Sequence, residues 1–296
     1  MILSENKDFP QLKLFAADNI CSNEVAAVFT TRNGGVSGEL PETAYLKSMN
    51  LQLTPGEDTY NNLAENYKII ASSLGFAAED VVGLHQEHTD RIIIADKETC
   101  GLFTATNKKN FEPPSAVHCP LITDRCALGE GADALVTNIR GLLLSVRTAD
   151  CVPVLLYDAK NGAIGAVHAG WRGTFLQIAA KTIRRMTALY STSPADVKAA
   201  IGPAIGACCY EVGEDLHEKF RKEHGKSIDV FFRIKKGKKP HCDLSAMNKS
   251  FLIEAGIPEN GIDMSELCTM CNPDLFFSHR RSGLKRGSMA AFIGMR

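Results

Sequence analysis

The chain has 296 residues, 45% of them apolar and 23% charged, the proportions of a globular protein able to bury a large core. Its 33 basic residues oppose 34 acidic ones, for a formal charge of −1, so the totals supply no nucleic-acid footprint and the expected partner is a small molecule. No basic region followed by an apolar run opens the sequence and no run of roughly 18 apolar residues occurs, so ten cysteines argue for reduced thiols in the cytoplasm over a disulfide framework, with neither export nor a membrane partner.

In chain order, the first strand-like run is Val25 to Thr31, and the glycine-bearing turn T-T-R-N-G-G-V-S-G follows it. Arg32 in that turn could present a planar fork to an anion. A helix is predicted over Tyr60 to Leu74, where Leu63, Tyr67, Ile70 and Leu74 share a face and Gly75 provides a stop. The segment L-H-Q-E-H-T-D-R then sets His85 and His88 ahead of a strand at Arg91 to Ala95. The polar, proline-bearing stretch 104–120 reads as an excursion within one domain spanning 1–296, since no repeat or low-complexity block divides the chain. G-E-G-A-D-A at Gly129 precedes a strand and opens no helix, which removes it as a dinucleotide fingerprint, and no Walker motif occurs.

Strands follow at Ala134 to Thr137 and Leu142 to Val146, and then comes the most informative segment, Thr148 to Thr174. Two short apolar runs, Pro153 to Tyr157 and Ala163 to Val167, flank the turn-like Asp158 to Gly162 and read as a hairpin of buried strands. Cys151 precedes the first run and His168 ends the second, so the hairpin would make them neighbours. With His88 or His85 as a third donor they match the three protein ligands of a catalytic zinc, whose fourth position stays open. Two other readings of the same residues stand beside it. Cys151 could be a small buried hydrophobe and the histidines satisfied loop residues, or Cys151 and His168 could be a nucleophile and base with Asp150 or another carboxylate as orienter, making a thiol hydrolase.

A helix is predicted after Gly173, with Phe175, Ala179, Ile183, Met186 and Tyr190 on its apolar face. Gly170-Trp171-Arg172-Gly173 places Arg172 at its start, where backbone N–H groups favour anions. Further helices are expected at Gly213 to His224 and Leu244 to Glu254, and strands at Val197 to Ile201, Phe276 to His279 and Ala290 to Ile293. Arg280 and Arg281, after Phe276-Phe277, are further anion candidates. Cys268-Thr-Met-Cys271 has zinc-knuckle spacing that His241-Cys242 could complete, but a single C-x2-C is a weak metal pattern, and the vicinal Cys208 and Cys209 read as packing. Strands in groups broken by a few helices favour an α+β fold with mixed sheets over a doubly wound one.

Taken together, T-T-R-N-G-G-V-S, H-Q-E-H, T-A-D-C-V-P-V, A-V-H-A-G-W-R-G, I-G-P-A-I-G-A-C-C-Y-E-V and F-F-S-H-R-R-S-G resemble the YfiH/YlmD family. These are the laccase-domain proteins once described as multicopper polyphenol oxidases. The resemblance covers nearly the whole chain and implies a mixed α/β/β/α sandwich. It also implies a zinc site of His88, Cys151 and His168, and a purine nucleoside phosphorylase that cleaves adenosine, inosine, guanosine or S-methyl-5′-thioadenosine with phosphate and deaminates adenosine. On that reading Arg32, Arg172 and Arg280 are the phosphate candidates with Arg281 and His85 behind them, and Asp150 is the expected proton carrier. The interval between His88 and Cys151 is longer than the family's usual one. Three alternatives remain: a copper oxidoreductase, since two imidazoles and a thiolate also suit Cu2+; the thiol hydrolase; and a noncatalytic binding module.

Overall fold

The structure, a computed structural model, describes residues 1–5, 8–52, 58–96, 131–234 and 236–296. The expected excursion at 104–120 lies outside the described residues. Two six-stranded sheets form the centre among them. The first runs in the order β1 (Ile2–Glu5), β2 (Lys13–Ala16), β3 (Val25–Thr30), β14 (Met289–Met295), β7 (Leu143–Thr148), β4 (Val81–Val82). The second runs β13 (Ile262–Met264), β10 (Val197–Ile201), β8 (Val152–Asp158), β9 (Ala163–Ala169), β6 (Ala134–Thr137), β5 (Ile92–Ile94). A small ladder pairs β11 (Phe232–Arg233) with β12 (His241–Cys242). Both sheets are mixed, with parallel pairs at β4/β7, β5/β6 and β10/β13 and antiparallel pairs elsewhere.

The apolar runs are unbroken because the central strands are buried on both faces, and successive side chains take opposite faces. In β14, Ala291 and Ile293 enter the core between the sheets, whereas Ala290 and Phe292 meet the helix α1 (Tyr60–Ser73). In β9, Ile164 and Ala166 face the inter-sheet core while Val167 and Ala169 face the helices on the far side. Those helices are α2 (Trp171–Phe175), α3 (Ile178–Tyr190), α4 (Glu214–His224) and α5 (Leu244–Glu254). The result is the expected α/β/β/α sandwich. No helix of the described residues is long and apolar enough to cross a membrane.

Helix α1 follows its apolar spacing, with Leu63, Tyr67 and Ile70 buried and the Thr59 side chain accepting from the Asn62 N–H at its start. Two expected elements differ. The helix after Gly173 is divided, because Gln177 takes a left-handed φ of 57° and turns the chain between α2 and α3. The Thr174 hydroxyl, in α2, is held by Asn248 Nδ2 of α5 at 2.8 Å. The run Phe276 to His279 is not a strand. Phe276 and Phe277 are buried, but their amides donate to Asn272 O and Met289 Sδ, and Ser278 caps the short helix α6 (His279–Ser282). Apolar character alone cannot separate a strand from a buried irregular segment.

Candidate metal centre

The β8/β9 hairpin closes on an Asp158 turn, where Oδ1 accepts the amides of Lys160 and Asn161 at 3.0 and 3.1 Å and Gly162 adopts a φ of 60°. Its register sets Val152 opposite Ala169 and Pro153 opposite His168, so Cys151, one residue before β8, arrives beside His168. The third side chain comes from the loop ahead of β5. His88 has a left-handed φ of 61°, uncommon for a residue with a Cβ, and its neighbours hold it there. The amides of Glu87 and Thr89 donate to Asp133 Oδ2 at 3.2 and 2.6 Å.

One ligand atom each from His88, Cys151 and His168 lies within 4.8 Å of the other two. Cys151 Sγ is 3.7 Å from His88 Nε2, and the two imidazole rings meet edge to face at 4.9 Å. Gly170 allows this approach, since a Cβ there would stand 2.7 Å from His88 Cδ2 and 3.1 Å from Cys151 Sγ. The remaining nitrogen of His168, Nδ1, is 2.7 Å from Asp133 Oδ1. An ionised Asp133 accepts the Nδ1 proton and leaves Nε2 free to ligate, the usual support of a metal-binding imidazole.

Electrostatics favour the ligating form of the sulfur. Burial would raise the Cys151 thiol, but the charge and hydrogen bond of His168, aided by His88, bring it down to about 6. His168 moves the opposite way, to about 9: burial opposes its charge, and Cys151 and Asp133 outweigh burial. Burial raises Asp133 too, yet His168 and Thr89 hold it below the ordinary carboxylate value. The two shifts, thiol down and imidazole up, both favour the charged pair of thiolate and imidazolium, and a metal on these donors would displace the imidazolium proton. Two imidazoles and one thiolate are a donor set that suits zinc with an open position, and also copper.

The other expected residues have other surroundings. Asp150, at a left-handed φ of 99°, accepts the Thr269 hydroxyl at 2.6 Å on Oδ1, and the Ser278 hydroxyl at 3.0 Å and Arg280 amide at 2.6 Å on Oδ2. Arg280 donates from its guanidinium to Glu211 O at 2.7 Å and lies 5.0 Å over the ring of Tyr210. Arg172 is exposed and stacks on Trp171 at 4.4 Å. Arg32 directs its fork to the carbonyls of Lys47, Pro273 and Tyr45 and lines an open depression of about 610 Å³ that none of the three metal candidates reaches. Arg281 grips the carbonyls of Thr269, Met270 and Phe276. His85 pairs with Glu87 at 3.4 Å and is not one of the clustered donors.

Two residues near the centre, Asp133 and Arg286, lie outside the six motifs, and a third, Tyr210, lies within one that gives it no role. Asp133 sits in the same glycine-rich segment dismissed as a nucleotide fingerprint, and its only sequence signal is a carboxylate at the mouth of an apolar strand. Tyr210 is raised by burial and then by the nearby Cys151 charge. Arg286, whose own pKa burial lowers, feels Asp150 and Cys151 and donates to Ser288 Oγ at 2.9 Å and His279 Nδ1 at 3.3 Å.

Residues 26–296 match the family model described as multi-copper polyphenol oxidoreductase laccase. A purine nucleoside phosphorylase of Bacteroides thetaiotaomicron is 33% identical, over 92% of each chain. Adenosine deaminase RL5, from an unknown prokaryotic organism, is 34% identical over 93% of this chain and 96% of its own. The crystal structure of YlmD from Geobacillus stearothermophilus superposes with a TM-score of 0.81 at 31% identity, covering 100% of this chain and 99% of the other. The chain belongs to this laccase-domain family.

Proposed function

We propose that this chain is a zinc-dependent purine nucleoside phosphorylase that also deaminates adenosine. Adenosine, inosine, guanosine or S-methyl-5′-thioadenosine would react with phosphate to give the free base and the sugar 1-phosphate. Relatives named for both activities, each about a third identical over nine-tenths of the chain, support this reading. The observation that carries it is the convergence of His88, Cys151 and His168 with Asp133 behind His168, a donor set with one position left for a reactant. When bound, zinc supplies a Lewis acid that lowers the pKa of a coordinated water toward ~7.

The chain's own residues provide the rest. Asp133 fixes the His168 tautomer, and Gly170 keeps space beside His88 and Cys151. Phosphorolysis needs an anion held against the sugar by fixed cations. Arg280 and Arg172 lead this role because their guanidinium groups are the least engaged by carbonyls, while Arg32, with three carbonyl partners, follows. His85 stands behind them. The Asp150 carboxylate already accepts three hydrogen bonds, so we assign it the positioning of Arg280 and Thr269 in preference to proton transfer. A reducing cytoplasmic setting belongs to the same proposal, since oxidation would remove Cys151 as a donor.

The test is incubation of purified protein with adenosine, with and without phosphate, and chromatography of adenine, inosine and hypoxanthine. Phosphate-dependent adenine and phosphate-independent inosine are expected. Turnover of a phenol by copper-loaded protein, with neither purine product, would replace this reading with the oxidoreductase one. Activity that survives chelators but is lost to iodoacetamide would replace it with the thiol hydrolase.

A further inference from the structure

Outside that centre, the loop after β10 and the loop before α6 bring four sulfurs together. Cys208, Cys209, Cys268 and Cys271 all have Sγ atoms within 4.8 Å of one another, with Cys271 3.6 Å from Cys208 and 3.4 Å from Cys209. A disulfide would need about 2.05 Å. Four thiolates each ~2.3 Å from a central zinc stand about 3.8 Å apart at the corners of a tetrahedron, and the two separations from Cys271 are close to that edge. His241 and Cys242, which by sequence could complete the C-x2-C pair, are not in the cluster. The vicinal pair read as packing takes their place.

The backbone is arranged around the sulfurs. Ala204 and Cys268 form a parallel bridge, with the Thr269 amide donating to Ala204 O at 3.0 Å. Gly206 O accepts the amides of Cys209 and Tyr210 at 2.9 and 3.0 Å, which folds the vicinal cysteines back toward Cys268. Cys268 Sγ accepts two amides, Gly206 N–H at 3.3 Å and that of Cys271 three residues on. Donors aimed at a sulfur stabilise its anionic, metal-binding form. Gly206 is closely packed here, with the site of a Cβ only 3.3 Å from Cys208 Sγ and 3.4 Å from Cys268 Cβ.

We propose that Cys208, Cys209, Cys268 and Cys271 form a second metal site, a closed four-thiolate zinc that clasps the two loops walling the catalytic centre. Tetrahedral sulfur sets select zinc or iron; Cys208 and Cys271 are exposed, which favours the redox-inert ion. Binding releases the thiol protons to solvent. The clasp lies one residue from groups that build the other centre. Thr269, after Cys268, donates to Asp150, and Tyr210, after Cys209, lies under Arg280. The Ile205 amide donates to Asp150 O at 2.9 Å. Zinc there would hold Asp150 and Arg280 in place without touching a reactant.

The test counts metal and asks nothing of activity, so its outcome is separate from that of the phosphorolysis proposal. Elemental analysis of full-length protein should find two zinc ions per chain in the wild type, one per cluster. Cys151→Ala should retain one, and the double variant Cys268→Ser, Cys271→Ser should lose one. Because that double variant could fail to fold, Cys151→Ala is also reconstituted with cobalt, leaving all four cysteines intact. The spectrum of tetrahedral cobalt with four thiolates is expected, together with protection of these thiols from alkylation until a chelator is added. A cobalt-free Cys151→Ala protein whose four thiols alkylate freely would overturn the proposal. A disulfide among them in freshly purified protein, or iron in place of zinc, would overturn it as well.

Discussion

The two sulfur-bearing clusters differ in a way that separates chemistry from architecture. His88, Cys151 and His168 are gathered at the ends of paired strands, with two imidazoles, one thiol and a carboxylate behind. The four cysteines are gathered by loop backbone alone. In the first, neighbouring imidazoles draw the thiol down to about 6. In the second, burial and neighbouring thiols push Cys208 up to about 11 and Cys209 higher still, while Cys268, with amides on its sulfur, moves down despite its burial. Three mixed donors leave a coordination position open and four thiolates close it. On the two proposals above, one fold would carry both a reacting site and a fastening, linked through the Thr269 to Asp150 hydrogen bond.

The largest effect that would break this contrast comes from Cys151→Ala. It should abolish both purine activities and remove one zinc per chain while the four-cysteine metal stays, as read by product chromatography beside elemental analysis. Retention of either activity would mean that the two clusters do not divide labour as proposed. Next is Asp133→Asn, which keeps the shape behind His168 but loses the charge. We expect a 10–100-fold loss of zinc affinity, the usual cost of removing such a partner, measured by competition with a chromophoric chelator; wild-type affinity would leave Asp133 without its role.

A comparable effect is expected at the cations. Arg280→Ala and Arg172→Ala should each raise the phosphate KM by about 10- to 150-fold, from ~1.5–3 kcal/mol of charge-assisted hydrogen bonding, with Arg32→Ala changing it less. Unchanged phosphate KM in all three would remove the arginines from phosphate binding. The subtlest test sharpens the electrostatic side of the comparison. In metal-depleted protein the Cys151 thiolate should accumulate as pH rises through about 6, so site-resolved alkylation should switch on there. In His168→Gln the cation that lowers the thiol is gone, and the midpoint should move up toward that of an ordinary cysteine.

What the sequence made legible was mostly local. The Asp158 to Gly162 turn and the apolar runs beside it define a hairpin, and a hairpin brings its ends together, so Cys151 and His168 could be paired before any coordinates. Helix α1 was equally plain from the spacing of Leu63, Tyr67 and Ile70. The arrival of His88 is different in kind, because it depends on the parallel pairing of β5 with β6 and on Asp133, 45 residues away. The resemblance supplied His88, but no periodicity did. Cys208 and Cys209 meet Cys268 and Cys271 across about 60 residues, and a lone C-x2-C carries no sign of a partner pair elsewhere. The break at Gln177 and the irregular backbone at Phe276 to His279 are decided by tertiary hydrogen bonds, which an apolar pattern does not record.

The central claim is that the ion held by His88, Cys151 and His168 serves both reactions, and zinc add-back to chelator-depleted wild-type protein tests it most directly. Phosphorolysis and deamination of adenosine should vanish with the metal and return in parallel as zinc is restored. Full activity of either kind in depleted protein, or recovery with copper alone, would contradict it.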